Sequence, residues 1–334
     1  MATVAGIDEA GFGPLLGPLV VSAVAFEVPE ALLGADLWQA LAPGIARTAR
    51  KRHAGLAIGD SKKLYKGSAA RASAARQPKT ADGLEHLERG VLGMFSMIAQ
   101  GTDSLRKLLG WACPGVLEAL EAYPWYRGRD VALPAGVDAA GLRLRVREAG
   151  RAMQAAGVRL TAGRCEVLPV GQYNALVRST DNKATTLLDQ TCRLIDWLWR
   201  HAAAGGNLTV LVDRQGGRQH YLRVLQRTYP GASLKILDEQ DQYSGYRLSV
   251  DGRALEVHFM VDGEDRHLPV ALASMTSKYV RELFMRLENE YWAAHMPGLR
   301  PTAGYYSDGK RFLADIAEAT TRLNTPMELL VRQR

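Results

Sequence analysis

The chain has 334 residues, 47% hydrophobic and 23% charged, with a formal net charge of +7; this balance describes a globular protein with one large or two modest cores and excludes disordered and collagen-like classes. Its longest apolar stretch, Pro18 to Phe26, is far short of the roughly 20 residues that cross a bilayer, so no membrane span or membrane partner is expected. Three cysteines, Cys113, Cys165 and Cys192, without a CxxC spacing, support neither a disulfide framework nor a zinc cluster and fit a reducing cytoplasm; Cys165 and Cys192 suit buried packing positions.

Along the chain, Met1 to Glu9 carries carboxylates where a secretory signal needs cations and an apolar run, so the mature protein is expected to start at once. Val4 to Ile7 and Pro18 to Val28 are β-branched and apolar around the turn Glu9 to Pro14, which predicts a β-hairpin. Gly83 to Ala99 places Leu84, Leu87, Val91, Leu92, Met94 and Phe95 near helical spacing, Asp103 to Tyr123 repeats the pattern, and Ala139 to Ala156 shows it again after a stretch rich in Pro and Gly. Residues 100–157 therefore read as a helical insertion. Val158 to Val170 predicts a strand, and Asn182 to Ala204 a long amphipathic helix with Asn182 as its cap. Leu208 to Asp213 reads as a strand buried on both faces that ends in an acid. Ser233 to Leu237 and Leu255 to Val261 are further strands, and Pro269 to Ala294 is a helix with Val280, Leu283, Phe284, Leu287 and Tyr291 on one face. Strands followed by helices indicate an α/β layered domain.

The positive charge is local. Between Ile45 and Thr80, Arg47, Arg50, Lys51, Arg52, Lys62, Lys63, Lys66, Arg71, Arg76 and Lys79 face Asp60 alone, a net +9, whereas the remaining 32 basic and 34 acidic residues sum to −2. Such a window is either a footprint for a phosphate backbone or a solvated basic loop. Acids gather elsewhere: Asp8 and Glu9 close the first apolar strand, Asp213 closes a later one, and Asp262, Glu264 and Asp265 precede the long C-terminal helix. Functional groups collect at strand ends in α/β sheets. Converging carboxylates repel one another, and hard divalent cations such as Mg²⁺ or Mn²⁺ relieve that repulsion with all-oxygen ligands; two ions about 4 Å apart catalyse phosphodiester hydrolysis. No GxxxxGK[ST] loop exists, which disfavours nucleotide triphosphate hydrolysis, and the seven histidines show no HxxxH or HxH spacing.

These blocks resemble a known family. Gly6-Ile7-Asp8-Glu9-Ala10-Gly11-Phe12-Gly13-Pro14-Leu15-Leu16-Gly17-Pro18 is similar to the opening motif of type II ribonuclease H. Gly59-Asp60-Ser61-Lys62-Lys63-Leu64 resembles that family's DSKKL stretch, and Val212-Asp213 its third-carboxylate strand. Gly263-Glu264-Asp265 through Ser274 and Lys278 resembles its GDxKxxxIAAAS block, and Gly304-Tyr305-Tyr306-Ser307 its KGYGT segment. The related type III enzymes usually carry an extra N-terminal domain, so type II is the closer match.

The resemblance implies a ribonuclease H-like mixed α/β sheet flanked by helices, with residues 1–99 and 158–295 forming the catalytic domain and 296–334 contributing to substrate binding. It implies a monomeric, Mg²⁺- or Mn²⁺-dependent endonuclease, active in DNA repair, that cleaves RNA in RNA–DNA hybrids or at ribonucleotides embedded in duplex DNA and leaves a 3′-hydroxyl and a 5′-phosphate. Asp8, Glu9, Asp213 and Glu264 are its implied catalytic and metal-holding acids, with Asp265 the alternative for the fourth. Gly11, Phe12, Gly13, Ser61, Lys62, Lys278 and Tyr305 are its implied substrate contacts, Tyr305 as a stacking platform with Tyr306 as its alternative.

The chain departs from the family at Phe12, where arginine is usual, at Glu264, where aspartate is usual, and in length. Those departures leave two other readings open: a hybrid-binding module without chemistry, and a two-metal nuclease acting on structured DNA.

Overall fold

The computed structural model describes residues 1–49, 54–65, 83–203 and 207–333. Of the basic window, Arg47, Lys62 and Lys63 lie inside those ranges; Arg50, Lys51, Arg52, Lys66, Arg71, Arg76 and Lys79 lie outside the described residues.

Strands β1 (Ala2–Ala10) and β2 (Leu19–Val28) form the expected hairpin, antiparallel with Asp8 opposite Ser22. Side chains alternate across a strand, so β2 sends Val20, Val24 and Phe26 to one core and Leu19, Val21 and Ala23 to another. Short pieces follow: α1 (Leu37–Ala40), the parallel pair β3 (Ile45–Ala46) and β4 (Leu56–Ala57), and α2 (Ser61–Leu64). Then come α3 (Glu85–Phe95), α4 (Leu105–Ala112), α5 (Val116–Leu120) and α6 (Ala139–Ala155).

β5 (Arg159–Leu168) lies antiparallel to β2. Next are α7 (Val170–Thr180) and α8 (Lys183–His201), the latter capped by Asn182, which accepts from the backbone N–H groups of Ala184 at 2.8 Å and Thr185 at 3.1 Å. β6 (Leu208–Asp213), α9 (Leu222–Thr228), β7 (Ser233–Gln240), β8 (Tyr243–Val250) and β9 (Arg253–Met260) complete the sheet. The chain ends with α10 (Gly263–Arg266), α11 (Leu268–His295), α12 (Tyr306–Asp315), α13 (Ala317–Arg322) and α14 (Met327–Leu330).

The seven strands run in the order β5-β2-β1-β6-β9-β8-β7, with β1, β6 and β9 mutually parallel and the others antiparallel to their neighbours. This is the mixed sheet flanked by helices that the sequence leads one to expect. One face packs on α3, α11 and the helices of residues 100–157, and the other on α7, α8 and α9. The three cysteines are free and buried. Among the described residues no helix is long and apolar enough to cross a membrane.

Three local expectations need correction. The strand expected over Val158 to Val170 stops at Leu168, because Pro169 is the N-cap of α7, and its fixed φ suits the start of a helix. β6 is buried on one face only: Leu208, Val210 and Val212 are buried, while Thr209 and Leu211 are half-buried and line a cavity of about 340 Å³ with Leu32, Leu37, His258 and Leu268. α11 is buried nearly all round rather than along one stripe, since the sheet covers one side and the helices of residues 100–157 cover the other.

Those helices are fixed to α11 by aromatic packing, with Tyr126 and Phe284 centroids 5.0 Å apart and Trp125 and Trp292 centroids 6.2 Å apart. They are also fixed by a buried carboxylate. Glu88 on α3 accepts from the backbone N–H groups of Ala135, Gly136 and Val137 at 2.7–3.0 Å and from the Tyr279 hydroxyl at 2.8 Å. Buried donors stranded by loss of a partner cost about 1–3 kcal/mol each. Glu88→Ala is therefore expected to destabilise the fold by on the order of 3 kcal/mol or more in urea unfolding, and a loss below about 1 kcal/mol would contradict this account.

Candidate active site

Register puts the first two acids side by side. β1 and β6 are parallel with Ile7 opposite Val212, so Asp8 and Asp213, one residue on, leave neighbouring strands at the same level; such strands lie about 4.8 Å apart. Gly6 lets α11 approach β1: a Cβ there would sit 2.1 Å from the Pro269 carbonyl carbon. That close crossing brings the start of α11, and α10 just before it, against the carboxylate end of the sheet.

After β9 the chain turns through Asp262, whose φ of 54° lies in the left-handed region. The Gly263 N–H then donates to Asp213 Oδ1 at 2.8 Å, and Glu264 is buried beside it. Glu264 is held from two sides: Ser274 on α11 donates to Oε2 at 2.5 Å and Lys62 donates to Oε1 at 3.0 Å. α2 delivers that lysine because Asp60 caps it, accepting from the N–H groups of Lys62 and Lys63, while the Ser61 hydroxyl lies 3.0 Å from that of Ser274. The Asp8 backbone is secured as well, its carbonyl accepting from Ser277 Oγ at 2.9 Å.

The electrostatic result is a pocket with too much negative charge for its protein neighbours. Burial raises Asp8 well above the usual carboxylate range, with Glu9, Asp213 and Glu264 adding repulsion and a Ser274 hydrogen bond pulling back. Burial and then the Asp213 charge push Glu9 up to about 7. Asp213 rises to about 6, mainly through burial, against the opposing Gly263 N–H. Burial opposes the charge on Lys62, but Glu264, Asp8 and Asp60 together outweigh it and hold the ammonium above its ordinary range. The Lys62 side chain is 83% exposed, so its charge is shared with water. Glu9 Oε2 is buried with no hydrogen-bond partner.

Among the described residues no three such side chains already form a ready metal cage; Glu264, for one, is taken up by Lys62 and Ser274. The donor set nevertheless fits a hard divalent cation. It is all oxygen, short of positive charge, and contains a carboxylate oxygen with nothing to bind.

The other residues singled out from the sequence divide by position. Asp265 points away from the acids: Lys63 donates to both of its carboxylate oxygens at 2.8 Å, on the surface. Of the two candidates for a fourth acid, Glu264 is thus the one facing Asp8 and Asp213. Gly11 has φ +92°, Phe12 packs half-buried with the Lys183 ammonium 5.1 Å from its ring, and Gly13 is exposed. Tyr305 is 51% exposed, with the Lys278 ammonium 6.0 Å and the Arg281 guanidinium 5.8 Å from its ring; Tyr306, also exposed, has Lys310 over it at 4.3 Å. Lys278 is neutralised by Glu282 at 2.8 Å and lies 4.6 Å from the Tyr65 ring. Ser61 is buried.

Ser274, Ser277 and Arg281 carry positioning contacts that sequence reasoning left unassigned. Only their spacing on α11, three and four residues apart on one helical face, marks them.

No family model and no curated protein matches the sequence. Among solved structures the chain is similar to RNase HII from Archaeoglobus fulgidus in its complex with PCNA, at 14% identity and a TM-score of 0.41 over 99% of this chain and 94% of that one. It is similar also to ribonuclease H2 from Pyrococcus horikoshii OT3, at 12% identity and 0.42 over 98% and 92%, and to Bst-RNase HIII in complex with Mn²⁺, at 16% identity and 0.41 over 99% and 66%.

Proposed function

We propose that this chain is a divalent-cation-dependent endoribonuclease that cuts the RNA strand of RNA–DNA hybrids or cuts at ribonucleotides embedded in duplex DNA. The observation that carries the reading is the meeting of Asp8 and Asp213 at one level of neighbouring parallel strands, with Glu9 and Glu264 beside them and Lys62 as the nearby cation. The sequence motifs around all four acids support it. Asp8, Glu9, Asp213 and Glu264 would hold Mg²⁺ or Mn²⁺, which supplies the charge that activates a water and stabilises the leaving oxygen of a phosphodiester.

The chain's own groups do the rest. Lys62, exposed and next to Glu264, draws the scissile phosphate toward the acids as a point charge. The Gly11–Phe12–Gly13 backbone approaches the sugar, where a 2′-hydroxyl distinguishes RNA from DNA. Tyr305 offers its exposed ring to a neighbouring base or sugar. Stacking of this kind is worth roughly 1–3 kcal/mol, so Tyr305→Ala is expected to raise KM about tenfold with kcat little changed; an unaltered KM would remove Tyr305 from the substrate groove.

The deciding assay offers the purified protein, with Mg²⁺ or Mn²⁺, a long RNA–DNA hybrid, a duplex with a single ribonucleotide, plain duplex DNA and branched DNA. Cleavage of the first two with 5′-phosphate products is expected. Cleavage confined to the DNA substrates would overturn the reading in favour of a structured-DNA nuclease, and binding without cleavage would favour a hybrid-binding module.

A further inference from the structure

The loop from Gly11 to Gly17 is held from behind by two buried guanidiniums drawn from distant parts of the chain. Arg332 donates from Nε to the Gly17 carbonyl at 2.8 Å and from Nη1 to the Gly11 carbonyl, and its own backbone N–H donates to the Leu15 carbonyl at 3.0 Å. Arg281 of α11 donates from Nη2 to the carbonyls of Leu16 at 3.3 Å and Ala303 at 3.0 Å. The Gly304 carbonyl in turn accepts from the N–H groups of Leu15 at 2.7 Å and Leu16 at 3.2 Å. The loop that carries Phe12 and the turn that carries Tyr305 are thereby one hydrogen-bonded unit.

The segment bearing Arg332 is itself pinned. Asn174 of α7, buried, donates to the carbonyls of Glu328 at 2.9 Å and Val331 at 2.8 Å and accepts from the Gln333 N–H at 2.7 Å. The Arg332 guanidinium rests 4.7 Å from the Tyr173 ring centroid.

This arrangement is a poor way to gain stability. Arg281 and Arg332 are 1% and 4% exposed; Arg281 Nε and Arg332 Nη2 have no hydrogen-bond partner, and Arg281 Nη1 has only the Glu282 carboxylate 3.5 Å away. Burial and the neighbouring Arg281 charge depress Arg332 to about 9. Taking a guanidinium out of water is costly, so what the pair supplies beyond its hydrogen bonds is fixed geometry: a planar fork aimed at the carbonyls of Gly11 and Gly17, the two ends of one loop.

We propose that Arg332 is a positioning residue, which sets the Gly11–Gly17 loop, and through Gly304 the Tyr305 ring, at the spacing that grips the sugar–phosphate strand of the substrate. The proposal rests on the function proposed above. Arg332 touches no reacting atom; it acts by pre-forming the groove.

The test compares wild type, Arg332→Met, Arg332→Lys and Asn174→Ala for cleavage kinetics on a single-ribonucleotide duplex, for hybrid binding by fluorescence anisotropy, and for thermal stability. Charge-assisted hydrogen bonds of this class correspond to about a tenfold effect or more. Arg332→Met is expected to raise KM about tenfold with kcat within about twofold; the melting temperature falls as well, because the Gly11 and Gly17 carbonyls lose their donors. Lysine, which cannot span both carbonyls, should rescue only in part. In a Tyr305→Ala background the effect of Arg332→Met on KM should shrink, because the part of it that reaches the ring is already lost.

A KM unchanged in Arg332→Met, or effects of the two substitutions that simply multiply, would overturn the proposal. If Arg332→Met fails to fold, Asn174→Ala, which releases the segment and leaves the guanidinium intact, must show the same rise in KM; an unchanged KM there overturns it equally. A wild type that neither binds nor cleaves hybrid would instead bring down the functional reading itself, an outcome separate from an active wild type with an indifferent variant.

Discussion

Replacing Asp213 by asparagine is expected to lower kcat on RNA–DNA hybrid by about a thousandfold or more, the scale seen when one charged member of a catalytic constellation is removed, while hybrid binding measured without turnover stays within about threefold. The two halves have one physical origin. The amide oxygen of the variant would keep the hydrogen bond from Gly263, and with it the turn into α10, but the change would withdraw one of the negative charges that a divalent cation needs. The groove that meets the substrate backbone loses nothing, and a phosphate sees one repulsive charge fewer. Asp8→Asn should behave alike. Asp265→Asn is the matched control: its carboxylate is already engaged by Lys63 at the surface, so less than about a threefold change is expected. Residual activity above about a tenth of wild type in Asp213→Asn, or a large loss in Asp265→Asn, would move the fourth acid and unseat the geometry.

The second large effect concerns stability against pH and cation. Glu9 and Asp213 titrate near about 7 and about 6 in the fold, and Asp8 is raised well above its usual range. A carboxyl raised on folding favours the native state when protonated, so its contribution is fully present below about pH 4, where it is protonated folded or unfolded, and is lost as pH rises through the folded values of about 6 to 7. Without added cation the protein should therefore lose on the order of 3 kcal/mol between about pH 5 and pH 8. Millimolar Mg²⁺ or Mn²⁺ should restore the melting temperature at about pH 8 and do little at about pH 5, where protons already occupy the acids. Asp8→Asn, compared with wild type, separates this from every other titrating group: the variant is expected to be the more stable protein at about pH 8 and equal to wild type near pH 4. Thermal unfolding across that range checks the sign, and an Asp8→Asn variant less stable than wild type at the alkaline end would refute it.

How much of this was legible in the sequence depended on whether the signal was local. The hairpin and the strand Leu208–Asp213 were, because apolar runs bounded by turn residues and closed by acids need no partner to be recognised. Helix α8 was, down to its Asn182 cap. β8 is not legible as a strand: Ser, Gly and Arg interrupt its apolar residues, and only pairing with β7 and with β9, where Arg247 faces Glu256, makes it one. β6 looked buried on both faces because Val210-Leu211-Val212 is uniformly apolar, yet Leu211 borders a cavity. In the site, Asp8, Glu9, Asp213 and Glu264 could be nominated, but the choice of Glu264 over Asp265 turns on which side of one short helix faces Asp213. Contacts such as Ser274 on Glu264 or Arg332 on Gly11 have no sequence signature, since neither residue's neighbours in the chain hint at its partner in space.

The order of the sheet has a consequence for synthesis. Thr3 of β1 must wait for Leu208 of β6 before its open edge is paired, and the loop after Asp8 must wait for Arg332. Contacts this distant in sequence close slowly and late. A chain still emerging from the ribosome thus holds its acids apart, and the nascent polypeptide carries no assembled carboxylate pocket until Glu264 and the helix α11 behind it have been made.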